Sequence, residues 1–192
     1  MKIVVVVDMQ NDFITGPLGS PEAQAIVPKM VETLEGMQGY DHLILFTKDT
    51  HQKDYLETQE GQNLPYEHCI EGTSGWSICK PISSLVDHGK FLLYHGAKDI
   101  VKGRFYKPTF GSIRLAEELQ HICSLPDTDI EEIIFMGVCT DICVVSNVLL
   151  AKAYCPEVKI TVDASCCAGV TPERHLAALE TMKSCQVNVI NE

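Results

Sequence analysis

The sequence predicts an α/β fold of three layers, a mostly parallel central sheet of about six strands with helices on both faces. Three observations carry that prediction. Apolar runs such as residues 3–7 and 133–136 show no polar alternation, which suits strands covered on both faces. Segments of helical length and periodicity lie between such runs, the pattern of strand–helix–strand units. The runs also end at polar or turn residues, namely Asp8, Lys48-Asp49, Gly137 and Asp163, so one rim of a parallel sheet collects the reactive side chains.

Residues 3–7 form a β-branched first strand that ends at the carboxylate of Asp8. The following loop to Pro21 is rich in turn formers: Gly16, Pro17 and Gly19. Ser20 caps a helix with Pro21 at its first position. Ile26, Met30, Leu34 and Met37 make its apolar stripe, and Gly39 ends it. Residues 43–46 are a second strand, and residues 50–78 a long polar loop of the kind that carries function in compact domains. Residues 91–94 read as a third strand. Residues 110–122 read as a helix with Ile113, Ala116 and Leu119 inward. The buried strand 133–136 turns sharply at Gly137 into a helix over 140–154, opened by Thr140 and Asp141 as capping residues. Residues 158–162 form another strand. Thr171-Pro172-Glu173 opens a last helix with Leu176, Leu179 and Met182 inward, and residues 187–190 close the sheet. No internal repeat, low-complexity tract or linker interrupts residues 1–192, which read as one domain.

The 192 residues hold 15 Lys plus Arg against 26 Asp plus Glu, a formal charge of -11. That excess argues against nucleic acid and anionic membranes as partners, since both need basic surface. No apolar run approaches the roughly 20 residues of a membrane span. The apolar stretch after Met1-Lys2 is too short for a signal peptide. The nine cysteines are odd in number and irregular in spacing, with no CxxC pair, so reduced thiols in a cytoplasm fit best. Homo-oligomer formation stays open.

Three features fall at strand ends or in the segments that follow strands: Asp8, the Asp49-x-His51 pair and Cys143. A cysteine at a helix start is favoured as a thiolate by the unpaired N–H groups there, and needs a base to become a nucleophile. Asp8 is the nearest candidate base, or else a cap or surface acid. Asp49 and His51 can point one way from an extended segment, and Glu60 and His68 follow in the same loop. Together they make a site for a divalent transition metal, or else a solvated polar set. Lys107, just before a helix, is an exposed charge or holds a carboxylate such as Asp8. Phe13 lines a pocket for a flat ring or packs under its own loop.

The motifs Asp8-Met9-Gln10-Asn11-Asp12-Phe13, Asp49-Thr50-His51, His68-Cys69-Ile70-Glu71-Gly72-Thr73, Lys107-Pro108-Thr109-Phe110 and Gly137-Val138-Cys139-Thr140-Asp141-Ile142-Cys143-Val144 resemble those of the isochorismatase-like cysteine hydrolases. Within that family the chain is most similar to the metal-containing nicotinamidases, over nearly its whole length. The resemblance implies Asp8 as base, Lys107 as the residue fixing it, and Cys143 as nucleophile, with Lys102 a rival to Lys107. It implies an oxyanion hole from the N–H groups of Cys139 and Cys143, and a cis peptide at Val138-Cys139. Asp49, His51 and His68 match three metal ligands. Glu60 matches the fourth by its spacing, with Glu57 the other candidate. Zinc is the first choice of ion, iron or manganese the alternatives. Phe13 matches a residue that packs on the substrate ring. The activity implied is hydrolysis of nicotinamide to nicotinate and ammonia through a thioester, in NAD metabolism. The other readings are an isochorismate-type or other small-amide hydrolase, and a non-catalytic binding scaffold.

Overall fold

The computed structural model describes residues 1–37, 39–88, 91–92, 103–126 and 128–192. In chain order the elements are β1 (Lys2–Val7), α1 (Asn11–Ile14), α2 (Pro21–Gly36), β2 (Gly39–Asp49), α3 (Gln59–Asn63), α4 (Lys80–His88), β3 (Phe91–Leu92), β4 (Arg104–Lys107), α5 (Ile113–Ser124), β5 (Glu132–Val138), α6 (Val145–Tyr154), β6 (Lys159–Ala168), α7 (Pro172–Ser184) and β7 (Asn188–Ile190). A short 3-10 helix (Tyr55–Glu57) precedes α3, and a π turn (Thr140–Val144) precedes α6.

The strands make one sheet in the order β3-β2-β1-β5-β6-β7, with β4 also paired to β2. Because β1 takes one edge of β2, β3 and β4 share the other: β3 runs beside the first part of β2 and β4 beside its end. The sheet is thus six positions wide with seven strands, and all its pairings are parallel. On one face α2 packs on β6 and α4. In the other layer α6 packs against both α5 and α7. The three-layer α/β architecture of the sequence reading is the one observed. Its centre is β1, whose Ile3, Val4, Val5, Val6 and Val7 are wholly buried between β2 and β5. The chain leaves β1 toward β2 on one side and returns later as β5 on the other. The C-terminal end of β1 therefore lies at the switch point where open α/β sheets leave a crevice.

Several boundaries differ from expectation. Gly39 starts β2 and does not end α2; Met37 is the helix C-cap. Of the strand expected at 91–94, residues 91–92 pair with β2, and residues 93–94 lie outside the described residues, as does Lys102. Helix α5 begins at Ile113, capped by Ser112 Oγ, not at Phe110. Ile113 is 59 % exposed, and Leu115, Ala116, Leu119 and Ile122 form the inward stripe. Leu176 is likewise 58 % exposed, off the stripe of Ala178, Leu179 and Met182. The helix expected over 140–154 is split, and Thr140 and Asp141 do not cap it: Cys139 stands at the start of the turn with no side-chain cap bond. Gly137 belongs to β5, with φ at 132°. A Cβ there would lie 2.1 Å from the Val7 carbonyl oxygen, so glycine is what lets β5 close on the end of β1.

At the opposite rim the buried Glu132 accepts from Lys2 Nζ at 2.8 Å, Lys159 Nζ at 2.7 Å and Thr161 Oγ1 at 2.6 Å. Burial alone would raise its pKa; these hydrogen bonds outweigh burial and hold it down at about 2, against 4.5 for a free carboxyl. The contribution to stability is complete above about 4.5 and is lost as pH falls toward about 2. Both lysines reach solvent, so screening reduces it to about 1 kcal/mol. In denaturant titrations the E132Q variant should be less stable than the parent at neutral pH, and the gap should shrink through that acid window. A gap independent of pH would contradict this account.

Candidate active site

Four backbone segments deliver the site residues to the C-terminal rim. Asp8 follows β1 with φ at 49°, a left-handed conformation that aspartate tolerates better than most residues. Asp8 is fully buried. Its Oδ1 accepts from Thr47 Oγ1 at 2.7 Å, and its Oδ2 meets Lys107 Nζ at 2.6 Å. Apart from that ion pair, Oδ2 has no hydrogen-bond partner among the described residues, which leaves it free to accept a proton. Alternation along β2 turns Thr47 and Asp49 to this face. Lys48 turns the other way and lies 3.0 Å over the Trp76 ring.

Lys107 ends β4, a strand absent from the sequence reading. Arg104-Phe105-Tyr106-Lys107 alternates with Phe105 and Lys107 inward, so the buried face carries a charge and the pattern does not read as apolar. The register sets Lys107 directly beside Asp49, and Lys107 Nζ stands 3.5 Å from Asp49 Oδ1. The same ammonium donates to Cys143 Sγ at 3.5 Å. One lysine thus touches Asp8, Asp49 and Cys143. Burial works against its charge, but the neighbouring Asp8, Cys143 and Asp49 raise its pKa overall, so it stays an ammonium.

Cys143 lies in the π turn, buried at the foot of a cavity. Burial pushes its thiol well above the ordinary value, with Lys107 pulling the other way and Asp8 and Asp49 adding to the rise. Its resting form is therefore the neutral thiol, not the thiolate expected from a helix N-terminus. Burial, with help from Asp49, also raises Asp8 while Lys107 and Thr47 oppose, and a raised carboxyl is the stronger base. The Val138-Cys139 peptide is cis, the bond the resemblance implies. Burial and Asp141 push the Cys139 thiol up to about 12, so its side chain is an inert neighbour.

Asp49, His51, Glu60 and His68 bring one ligand atom each within 4.8 Å of one another. Asp49 Oδ2 lies 3.0 Å from His51 Nε2 and 3.3 Å from His68 Nε2; Glu60 Oε1 lies 3.6 Å and 3.8 Å from the same two nitrogens. Donors at about 2.1 Å from a shared tetrahedral ion stand roughly 3.4 Å apart, so the four fit one such ion with small adjustments. His68 Nδ1 is 2.8 Å from the Tyr66 carbonyl oxygen, and an N–H there leaves Nε2 free to ligate. Burial opposes the charge on Asp49, but the neighbouring His51 and His68 rings and the Lys107 ammonium hold its carboxyl below the usual range. Burial and Asp49 raise Glu60, the mark of an anionic set short of positive charge. Glu57 is exposed and stands outside the group.

A cavity of about 330 Å³ opens between these groups, with Asp49, Glu60 and His68 on one side and Cys139 and Cys143 on another. Phe13 lines it, buried, its ring centroid 5.5 Å from that of His68. The space suits a small flat ring with one polar edge toward the carboxylate–histidine set and a carbonyl toward the sulfur.

Four supporting residues were not singled out from the sequence. Thr47 holds Asp8, as above. Gln10 is wholly buried and brackets the Asp49 backbone, donating to its carbonyl at 2.8 Å and accepting from its N–H at 2.7 Å. Tyr55 packs on both histidine rings, at 4.6 Å from His51 and 4.9 Å from His68. Asn147 accepts from Ser112 N–H at 2.9 Å and donates to the Cys143 carbonyl at 2.7 Å, so it ties the segment after Lys107 to the turn that carries the sulfur. Gln10 lies inside a quoted motif. The others gave no local signal, because their partners are distant in sequence.

The sequence profile of the isochorismatase domain family matches residues 2–192. The nicotinamidase of Schizosaccharomyces pombe is 27 % identical over 98 % of this chain and 92 % of its own length. The nicotinamidase of Bacillus subtilis superposes with a TM-score of 0.71 at 25 % identity, covering 99 % of both chains. The pyrazinamidase of Pyrococcus horikoshii, solved in complex with zinc, superposes with a TM-score of 0.70 at 23 % identity over 100 % of this chain and 99 % of that one.

Proposed function

The chain belongs to the isochorismatase domain family, and from that premise we propose that it is a cysteine amidohydrolase that converts nicotinamide to nicotinate and ammonia. The single observation that carries the reading is the position of Lys107, whose ammonium joins Asp8, Asp49 and Cys143 in one buried cluster beside the carboxylate–histidine set.

In this mechanism the ring enters beside Phe13 with its carboxamide toward Cys143. Asp8 Oδ2 takes the thiol proton as sulfur attacks the amide carbon, and Lys107 steadies both anions. The N–H groups of Cys139 and Cys143 receive the oxyanion. Asp8 returns the proton to nitrogen as the C–N bond breaks and ammonia leaves. A water, deprotonated by Asp8, then cleaves the thioester, which frees nicotinate and restores the thiol. Asp49, His51, Glu60 and His68 would hold one divalent ion, zinc by their mixed N and O donors, and when bound it supplies a Lewis-acid anchor for the ring nitrogen. The zinc in the Pyrococcus relative supports that choice. Nine free cysteines suit a reducing compartment such as the cytoplasm, and no helix among the described residues is long and apolar enough to cross a membrane.

Ammonia release over a panel of small amides, with pyruvate release from isochorismate followed in parallel, tests the reading. Nicotinamide and close ring analogues such as pyrazinamide should give the highest kcat/KM. Turnover of isochorismate or an aliphatic amide with none of nicotinamide would refute it.

A further inference from the structure

We infer that His175 is a positioning residue, which through its hydrogen bond to Thr140 fixes the turn that carries Cys139 and Cys143. The inference rests on the hydrolase reading above. Thr140 is wholly buried between those two cysteines in the chain, and its Oγ1 lies 2.8 Å from His175 Nδ1. The turn is a π turn, closed by a bond from Val144 N–H to the Cys139 carbonyl at 3.0 Å and lacking any side-chain cap. Single π turns are rare and recur at functional sites, and here side-chain contacts from outside the turn hold Thr140 and Asp141.

Those contacts come from α7 and the residues before it. Thr171 caps α7 by accepting from Arg174 N–H at 3.3 Å, which fixes the helix start from which His175 projects. Asp141 Oδ1 accepts from Val170 N–H at 2.9 Å, a second tie to the same segment. A Cβ on Gly169 would lie 2.9 Å from His175 Cβ and 3.0 Å from Asp141 Oδ1, so the two ties leave no slack between them. On the inner side, Asn147 holds the Cys143 carbonyl. The turn is thus clamped at Thr140 and Asp141 from α7 and at Cys143 from α6. Burial holds His175 below its ordinary pKa, against the opposing charges of Asp141 and Glu192, so the ring is neutral near pH 7.

Four single variants of the metal-loaded enzyme and the H175F/T140V double variant test the idea. H175F removes the bond, H175N restores a polar atom at the place of Nδ1, H175Q restores one at the place of Nε2, and T140V removes the other partner. With melting points close to the parent's, H175F and T140V should lower kcat on nicotinamide about ten- to a hundredfold with KM within about twofold, and the double variant should be no worse than either. H175N should recover most of the rate and H175Q little. Unchanged kcat in H175F, additive losses in the double variant, or equal recovery by H175Q would overturn the inference. Should H175F fail to fold, T140V and the H175N against H175Q contrast decide it. Should the parent not cleave nicotinamide, the hydrolase reading falls by itself. The same variants are then compared by the rate of iodoacetamide labelling at Cys143, which H175F and T140V must change and H175N must leave at the parent's value; equal rates overturn the inference.

Discussion

Replacing Cys143 by alanine should lower nicotinamide turnover by about four orders of magnitude or more while the protein keeps its fold. The sulfur is the nucleophile of the proposed mechanism, and no other thiol has its surroundings. Cys143 alone receives the Lys107 ammonium, at 3.5 Å, next to the Asp8 carboxylate. Cys139 shares the cavity wall but is raised to about 12 by burial and Asp141. Loss of one sulfur from a site already bordered by open space leaves little new cavity, so stability should change by about 1 kcal/mol or less. Serine in the same place should be almost as inactive, because Asp8 is matched to a thiol and not to an alkoxide. The check is kcat by ammonia release beside a melting curve. An alanine variant active within tenfold of the parent would remove Cys143 from the mechanism.

The second large effect concerns the ion. Chelation to below one-tenth occupancy, or the variant H68A, should cut kcat/KM about a thousandfold, and added zinc should restore the chelated parent but not H68A. His68 is the cleaner probe. Asp49 also touches Lys107 at 3.5 Å, so its loss disturbs both halves of the site, whereas His68 Nε2 pairs with the carboxylates of Asp49 and Glu60 on the metal side. Stripping the ion leaves the Asp49 and Glu60 carboxylates crowded, with Glu60 raised by burial and Asp49. Affinity should also fall with acid. Burial works against a charged His68, but Asp49 and the Tyr66 carbonyl raise its pKa overall, so protons compete for Nε2 from higher pH than for a free imidazole. Metal analysis alongside activity reads both outcomes. Full activity in protein free of metal would contradict the role given to the four ligands.

The architecture was legible because its strongest signals are local. Five apolar residues before Asp8, and the run before Gly137, mark strands buried on both faces, and capping residues at Ser20 and Thr171 mark helix starts. What was missed depends on partners far along the chain. Strand β4 hides because Lys107 occupies an inward position and is stabilised by Asp8 and Asp49, both distant in sequence. The π turn hides because Thr140 and Asp141 carry the residue types of a helix cap, yet spend their side chains on His175 and Val170. Ile113 and Leu176 read as inward by composition but lie off their stripes, whose other expected members, Ala116, Leu119, Leu179 and Met182, are buried. Within the site, Asp8, Phe13, Asp49, His51, His68, Lys107 and Cys143 stand in motifs quoted from the sequence, and Glu60 lies in the loop between two of them. The choice of Glu60 over Glu57 needed the fold of residues 55–63, where α3 turns Glu60 inward and the 3-10 helix leaves Glu57 in solvent.

The central claim is that Cys143 Sγ becomes acylated during turnover. Rapid acid quench of the metal-loaded enzyme with saturating nicotinamide, followed by peptide mass spectrometry, reads it directly. The account predicts a nicotinoyl increment on the peptide containing Cys143, absent from C143A and lost when hydroxylamine is added. Steady ammonia release with that peptide unmodified at every quench time, or with the increment on another cysteine, would contradict it.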